Sequence, residues 1–182
     1  LAKAFKSTSF ATATDYAKMP YVAVKLRIEE DMLKAEATDE ARISVFKVEI
    51  ENVGANSEFL LPRDTAESLS SMFDHVDTVE VQPGQHHLRL IWEGTVFTSS
   101  LVSSPKPFPN LSTYLEKDKC GSARVSRGDL LRALKMAALV AKDSSLEASL
   151  TDDGLLIATN ERTGVSQDVI PTKSQDGEGA TH

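Results

Sequence analysis

Two stretches of this chain open in the same way about 120 residues apart. Ala4-Phe5-Lys6 aligns with Ala133-Leu134-Lys135, 129 positions on, and Ala37-Thr38-Asp39 aligns with Ala158-Thr159-Asn160, 121 positions on. One change of loop length accounts for the eight-residue difference. Solenoid units repeat every 20–50 residues or so, and this period is far longer, so it implies duplication of whole domains rather than stacked repeats. At 182 residues the chain has room for one complete domain and part of a second.

The first copy reads as helix and strands, then helix and strands again. Leu1, Phe5 and Phe10 are spaced for a short helix over residues 1–11. Residues 21–28 alternate apolar and polar as a half-buried strand does, and residues 34–45 continue as a second strand beyond a Glu29-Glu30-Asp31 turn. Ile43, Val45, Val48 and Ile50 mark a further strand over 42–51, and 58–61 a brief one that Pro62 ends. Asp64 with Glu67 three residues later has the spacing of a capping box, ahead of a helix over 64–73 with Leu69, Met72 and Phe73 on its apolar face. Strands over 78–82, 87–92 and 95–102 follow, separated by Pro83-Gly84 and Glu93-Gly94 turns, in the rhythm of an antiparallel meander.

Residues 103–111 carry Pro105, Pro107 and Pro109, which can continue neither a helix nor a ladder, so they read as an ordered linker. The second copy has the strongest helix, 126–141, and strands over 146–150, 155–159 and 165–170. Helices and antiparallel strands kept apart in this way define an α+β chain. The expected division is 1–115, a complete domain with its linker, and 116–182, a partial one. A chain that opens at Leu1, inside a helix, is expected to be a fragment.

Composition narrows the function. With 41% hydrophobic and 26% charged residues the chain lies well away from the balance that keeps sequences disordered. A formal charge of −7 argues against coating nucleic acid with the whole surface, though it leaves room for a local basic face. Cys120 is the only cysteine, so neither an intrachain disulfide nor a CxxC metal site can form, and a reducing, cytoplasmic setting is expected. No apolar run approaches a membrane span, and nothing at the N-terminus reads as a signal peptide.

Catalytic motifs are missing: there is no GxSxG, P-loop or GxGxxG. His86-His87 lacks the spacing of a metal site, Asp152-Asp153-Gly154 reads as a hairpin turn, and Cys120 has no recognisable His partner. No cofactor, no metal and no enzymatic activity are expected.

Several short segments follow one another in a familiar order. Ala37-Thr-Asp-Glu-Ala-Arg-Ile43, Leu61-Pro-Arg63 and the run from Phe97-Thr-Ser-Ser-Leu101 to Phe108-Pro-Asn110 resemble the middle domain of the bacterial DNA polymerase III beta subunit, the replicative sliding clamp. The 132–141 helix, Thr163-Gly164 and Asp168-Val-Ile170 are similar to the opening half of that family's third domain. The resemblance implies the DNA-clamp fold, with helices on one face of antiparallel sheets. It further implies a homodimeric ring that encircles duplex DNA without reading its sequence, holds it by topology and makes the replicative polymerase processive.

Two sites follow from that resemblance. A groove for short peptides from polymerase, clamp loader and repair proteins would use Tyr21, Thr38, Arg42, Ile43 and Pro109, with aliphatic area from Ile43 and Pro109 and a polar rim from Arg42. The chain departs from the family at Glu40-Ala41, where Gly-His is common, at Tyr21, where Leu is usual, and at Leu111, where Tyr is frequent. The groove's far wall would come from a part of the third domain that this sequence does not contain. DNA would face Lys3 and Lys6 on the first helix and Arg127, Arg132, Lys135 and Lys142 on the 126–142 helix. At 100° per residue these last four span an arc of roughly 140°. A solvated helix face would look the same, as would ordinary core and linker packing at Ile43 and Pro109. The other functional reading is a clamp-like protein-interaction module that does not encircle DNA.

Overall fold

Val24, Leu26 and Ile28 alternate with Lys25, Arg27 and Glu29 along strand β1 (Ala23–Glu29), and this period of two decides which face of the first sheet is covered by helices. The computed structural model describes residues 1–51, 54, 56–115, 122–141, 146–161 and 164–176. The chain falls into two units, Leu1–Tyr114 and Leu115–His182.

In the first unit, helix α1 (Ala2–Thr8) runs on through a 3-10 turn, Ser9–Ala11. β1, β2 (Met32–Thr38), β3 (Ile43–Glu49) and β4 (Ser57–Pro62) then form an antiparallel sheet in the order β3-β2-β1-β4. The strand expected over 34–45 is two strands: β2 stops at Thr38, and residues 39–42 turn the chain into β3. Helix α2 (Arg63–Met72) and a meander of β5 (Glu80–Pro83), β6 (His87–Trp92) and β7 (Thr95–Ser100) complete the unit. Glu93 and Gly94, the two-residue loop between β6 and β7, both have positive φ, 44° and 77°, the backbone of a type I′ turn.

The expected capping box does not form. Pro62 is the N-cap of α2 and has no side-chain oxygen to offer, and Glu67 instead pairs with Arg63 at 2.8 Å, one turn back. One core serves both sheets. Ala4 and Phe5 of α1, Ala66 and Leu69 of α2, Val24, Leu26 and Ile28 of β1, and Leu88, Leu90 and Trp92 of β6 are all buried in it. Phe73 joins them, stacked on Phe5 at 6.5 Å and edge-on to Trp92 at 5.0 Å. Just beyond β7, the Val102 N–H donates to the Leu60 carbonyl at 2.8 Å, which ties the end of the meander to β4. The short helix α3 (Ser112–Leu115) follows the connector.

The second unit pairs β8 (Ser122–Val125) with β12 (Thr172–Asp176) and orders β9 (Glu147–Thr151), β10 (Gly154–Glu161) and β11 (Gly164–Ile170) as β11-β10-β9. Helix α4 (Arg127–Val140) has Ser126 as its N-cap, with Oγ accepting from the Asp129 N–H at 3.5 Å. Ala133, Ala137, Ile157 and Ile170 form the buried cluster, with Leu130 beside it. Leu134, between them, is 37% exposed. The stripe that turns inward is 130, 133 and 137, whose alanines carry too little apolar weight to outvote the neighbouring leucine in a sequence pattern.

Candidate functional site

Thr38 and Ile43 stand directly opposite each other where β2 and β3 end. Cross-strand partners share a face, and alternation puts both on the side of Glu36 and Lys34, away from the helices. Thr38 is 3% exposed and Ile43 37%, so the pair is a buried hydroxyl beside a partly open aliphatic surface.

The turn between them is built from side-chain hydrogen bonds. Thr38 Oγ1 accepts from the Glu40 N–H at 3.1 Å, and Asp39 Oδ1 accepts from the Ala41 and Arg42 N–H groups at 3.0 and 2.7 Å. Arg42 closes back on the same residue, Nε and Nη2 donating to Asp39 Oδ2 at 2.9 and 2.6 Å. Those bonds from the guanidinium hold the Asp39 carboxyl below the usual carboxylate range. Arg42 is exposed, but its charge is answered within its own turn. Glu40 takes the left-handed backbone, φ 81°, that the turn requires.

Tyr21 reaches this turn through its neighbours. Its N–H donates to the Lys18 carbonyl at 2.8 Å, across a cis Met19–Pro20 bond, and Lys18 Nζ lies 3.7 Å from Glu40 Oε2. The Tyr21 carbonyl accepts from the Ala13 N–H at 2.8 Å. Tyr21 itself is half-buried.

The same face of the sheet carries charges that period-two reading assigns to solvent. Lys25 and Glu36, opposite each other on β1 and β2, are 5% and 3% exposed. Lys25 Nζ pairs with Glu58 Oε1 at 2.9 Å, Arg27 Nη2 with Glu58 Oε2 at 2.9 Å, and Lys34 Nζ with Glu36 Oε1 at 2.7 Å. Burial would raise the Glu58 carboxyl, but hydrogen bonds and charge from Lys25 and Arg27 outweigh it and hold the group below its ordinary value. The Phe108 ring lies over Lys25, its centroid 5.6 Å from Nζ. Pro109, the next residue, is half-buried. Three of the five residues expected in a groove, Thr38, Arg42 and Ile43, therefore belong to this face or its edge turn, while Tyr21 precedes β1 and Pro109 adjoins the residue whose ring lies over Lys25.

The expected basic residues differ in their surroundings. On α1, Lys6 forms an ion pair with Asp74, and Lys3 Nζ lies 6.0 Å from the centroid of the Phe46 ring. On α4, Arg132 Nη1 pairs with Asp129 Oδ1 at 3.2 Å, while Arg127 and Lys135 are exposed. Lys142 lies outside the described residues, as does Cys120. Among the described residues no three His, Cys, Asp or Glu side chains are grouped to hold a metal ion, and no helix is long and apolar enough to cross a membrane.

Comparison with known proteins agrees with this architecture. The beta sliding clamp of Haemophilus influenzae is 24% identical over 181 residues, covering 98% of this chain and 49% of the relative. That of Staphylococcus aureus is 22% identical over 175 residues, covering 93% and 46%. The chain thus spans about half the length of the curated relatives it matches. Among solved structures, the DNA polymerase sliding clamp of Bacillus subtilis superposes with a TM-score of 0.87 at 19% identity, over 98% of this chain and 48% of that one. The DNA polymerase III subunit beta of Pseudomonas aeruginosa gives 0.84 at 22%, over 98% and 50%. These likenesses assign the DNA-clamp fold. Residues 1–110 match the family model described as DNA polymerase III beta subunit, central domain, and the chain belongs to that family.

Proposed function

We propose that this chain is part of a non-catalytic processivity ring: it encircles duplex DNA as a homodimer of the full-length product and docks replicative polymerase, clamp loader and repair proteins through a peptide groove. In this reading 1–115 is the middle domain with its linker and 116–182 the first half of the third domain. The groove residues are Tyr21, Thr38, Arg42, Ile43 and Pro109, and Lys3, Lys6, Arg127, Arg132, Lys135 and Lys142 face the DNA. The observation that carries the reading is the family match over residues 1–110, together with a partly exposed aliphatic residue, Ile43, on the sheet face where the Phe108 ring of the connector lies over Lys25.

Topological holding needs few phosphate contacts, which reconciles a charge of −7 with a DNA partner. The full-length gene product, loaded on circular duplex, slides off once the circle is cut. Retention on the linear product would overturn topological holding. Ile43→Asp places a charge in an apolar contact and weakens a peptide made from the polymerase C-terminus, and unchanged affinity would remove Ile43 from the site.

A second reading, an interaction module that does not encircle DNA, draws on the ion pairs Lys6–Asp74 and Arg132–Asp129, which neutralise two of the six proposed DNA-facing cations. Peptide binding without retention on uncut circles would favour it.

A further inference from the structure

We propose that Lys25 is a positioning residue: it straps the 103–111 connector onto the outer face of the first sheet and so seats Pro109 for the partner peptide. The proposal rests on the peptide-site reading given above and adds to it a residue that does not itself touch the peptide.

A lysine at the centre of a sheet's outer face is ordinarily solvated, and full burial of this residue type is rare unless the charge is paired. Lys25 is 5% exposed. The connector contributes to the cover through the Phe108 ring. It leaves β7 through the Val102 N–H bond to the Leu60 carbonyl on β4, and it ends at Leu111, whose side chain is buried. Between those anchors Pro105, Pro107 and Pro109 have no N–H to donate, so the segment cannot join the sheet as another strand. Its order has to come from side chains. Phe108 is its one aromatic residue, and the Phe108 ring lies over the Lys25 ammonium at 5.6 Å.

The ammonium has two different partners, the Glu58 carboxylate at 2.9 Å on one side and the ring on the other. Glu58 is shared with Arg27, which bonds it through Nε at 3.0 Å, so Glu58 keeps a cation if Lys25 is lost. Removal of the positive charge therefore releases the ring without leaving the Glu58 carboxylate unpaired. A desolvated cation–π contact is strong enough to hold one conformation of a short connector against its alternatives. Pro109 adjoins Phe108 in sequence, so whatever fixes the ring also fixes where the proline sits.

The test uses Lys25→Met, which keeps the apolar stem, Lys25→Arg, which restores the cation, and Phe108→Leu, which removes the ring from a half-buried position. Hydrogen exchange of the 101–110 amides reads the strap in this chain. Affinity for a synthetic peptide of the polymerase C-terminus reads the site in the full-length gene product. Lys25→Met and Phe108→Leu should each speed exchange across 103–110 and weaken the peptide about tenfold, the range of a desolvated pair. The double variant should be no worse than either single one, and Lys25→Arg should recover both readouts. A general loss of stability would instead raise exchange throughout the unit and would not be rescued by arginine. If Ile43→Asp abolishes peptide binding while Lys25→Met and Phe108→Leu leave exchange and affinity unchanged, the strap is refuted and the site survives. If Ile43→Asp also leaves affinity unchanged, the site itself falls and the positioning role with it.

Discussion

The two oxygens of Asp39 each accept twice from the turn they close: Oδ2 from Nε and Nη2 of Arg42 at 2.9 and 2.6 Å, Oδ1 from the Arg42 and Ala41 amides at 2.7 and 3.0 Å. One carboxylate thus organises both the backbone of the turn and the side chain at its rim. A guanidinium held in this way is oriented but already neutralised. Arg42 is accordingly suited to packing its stem and presenting a fixed edge, and less suited to selecting an acidic partner.

That arrangement makes the turn sensitive to acid. The folded-state pKa of Asp39 lies below its ordinary value, chiefly because of the Arg42 side-chain bonds. A depressed carboxylate contributes stability that is fully present above the unfolded value of about 3.9 and is lost as pH falls through the lower folded value. Carbon-detected NMR of the Asp39 carboxyl should give a midpoint below about 3.9, with the Ala41 and Arg42 amide shifts moving in step. A midpoint at or above that value would contradict the bonding seen here.

Burial along α2 predicts a sharp contrast between two of its residues. Leu69 is fully buried in the core it shares with Phe5, Phe73 and Trp92, whereas Met72, three residues on, is about half exposed. Leu69→Ala removes apolar contact and leaves a cavity, and should cost about 2.7–5 kcal/mol. Met72→Ala should stay within about 0.5 kcal/mol. Urea denaturation followed by Trp92 fluorescence distinguishes them, because the indole lies in the same core.

Much of this core was legible in the chain. The alternation at Val24, Leu26 and Ile28, the Glu93-Gly94 turn and the Asp152-Asp153-Gly154 turn each appear where local chemistry demands them. Strands β8 and β12 were not legible, since Ser122–Val125 alternates over four residues only, Thr172–Asp176 is polar throughout, and the two exist through pairing with each other. Thr38 and Ile43 could be placed on one strand pair only once the 39–42 turn was known. Nor could Lys25 be found: its spacing is that of a solvent-facing residue, and the ring that lies over it belongs to a connector about 80 residues further along.

Differences among the basic residues translate into salt dependence. Each cation that replaces a condensed counterion on duplex DNA adds about 0.9 to the slope of log K against log salt. Arg127 and Lys135 are exposed on α4, while Arg132 is already paired with Asp129 at 3.2 Å. For the full-length gene product on linear duplex, Lys135→Ala and Arg127→Ala should each lower the slope by close to that amount, and Arg132→Ala by less. Three equal changes would show that the Asp129 pair does not persist against phosphate, and three null changes would take α4 away from the DNA.

Two glycines of the second unit predict opposite outcomes for one substitution. Gly154 opens β10 at φ 140°, and a Cβ there would meet the Ile170 carbonyl oxygen of β11 at 2.3 Å. Backbone on both sides of that contact leaves nothing flexible to move aside, and an L-residue resists the φ itself. Gly154→Ala should therefore destabilise the unit by more than about 1 kcal/mol. Gly128 lies in the first turn of α4, where a Cβ meets only Ser126 Oγ, at 3.7 Å. There alanine fits and narrows the unfolded ensemble, so Gly128→Ala should stabilise by about 0.4–1 kcal/mol. Amide exchange across β9, β10 and β11 measures both, since the slowest amides of that sheet report opening of the unit. Faster exchange in the Gly154 variant with slower exchange in the Gly128 variant is the expected pattern. Slower exchange in Gly154→Ala would mean that the Gly154–Ile170 approach is not as close in solution.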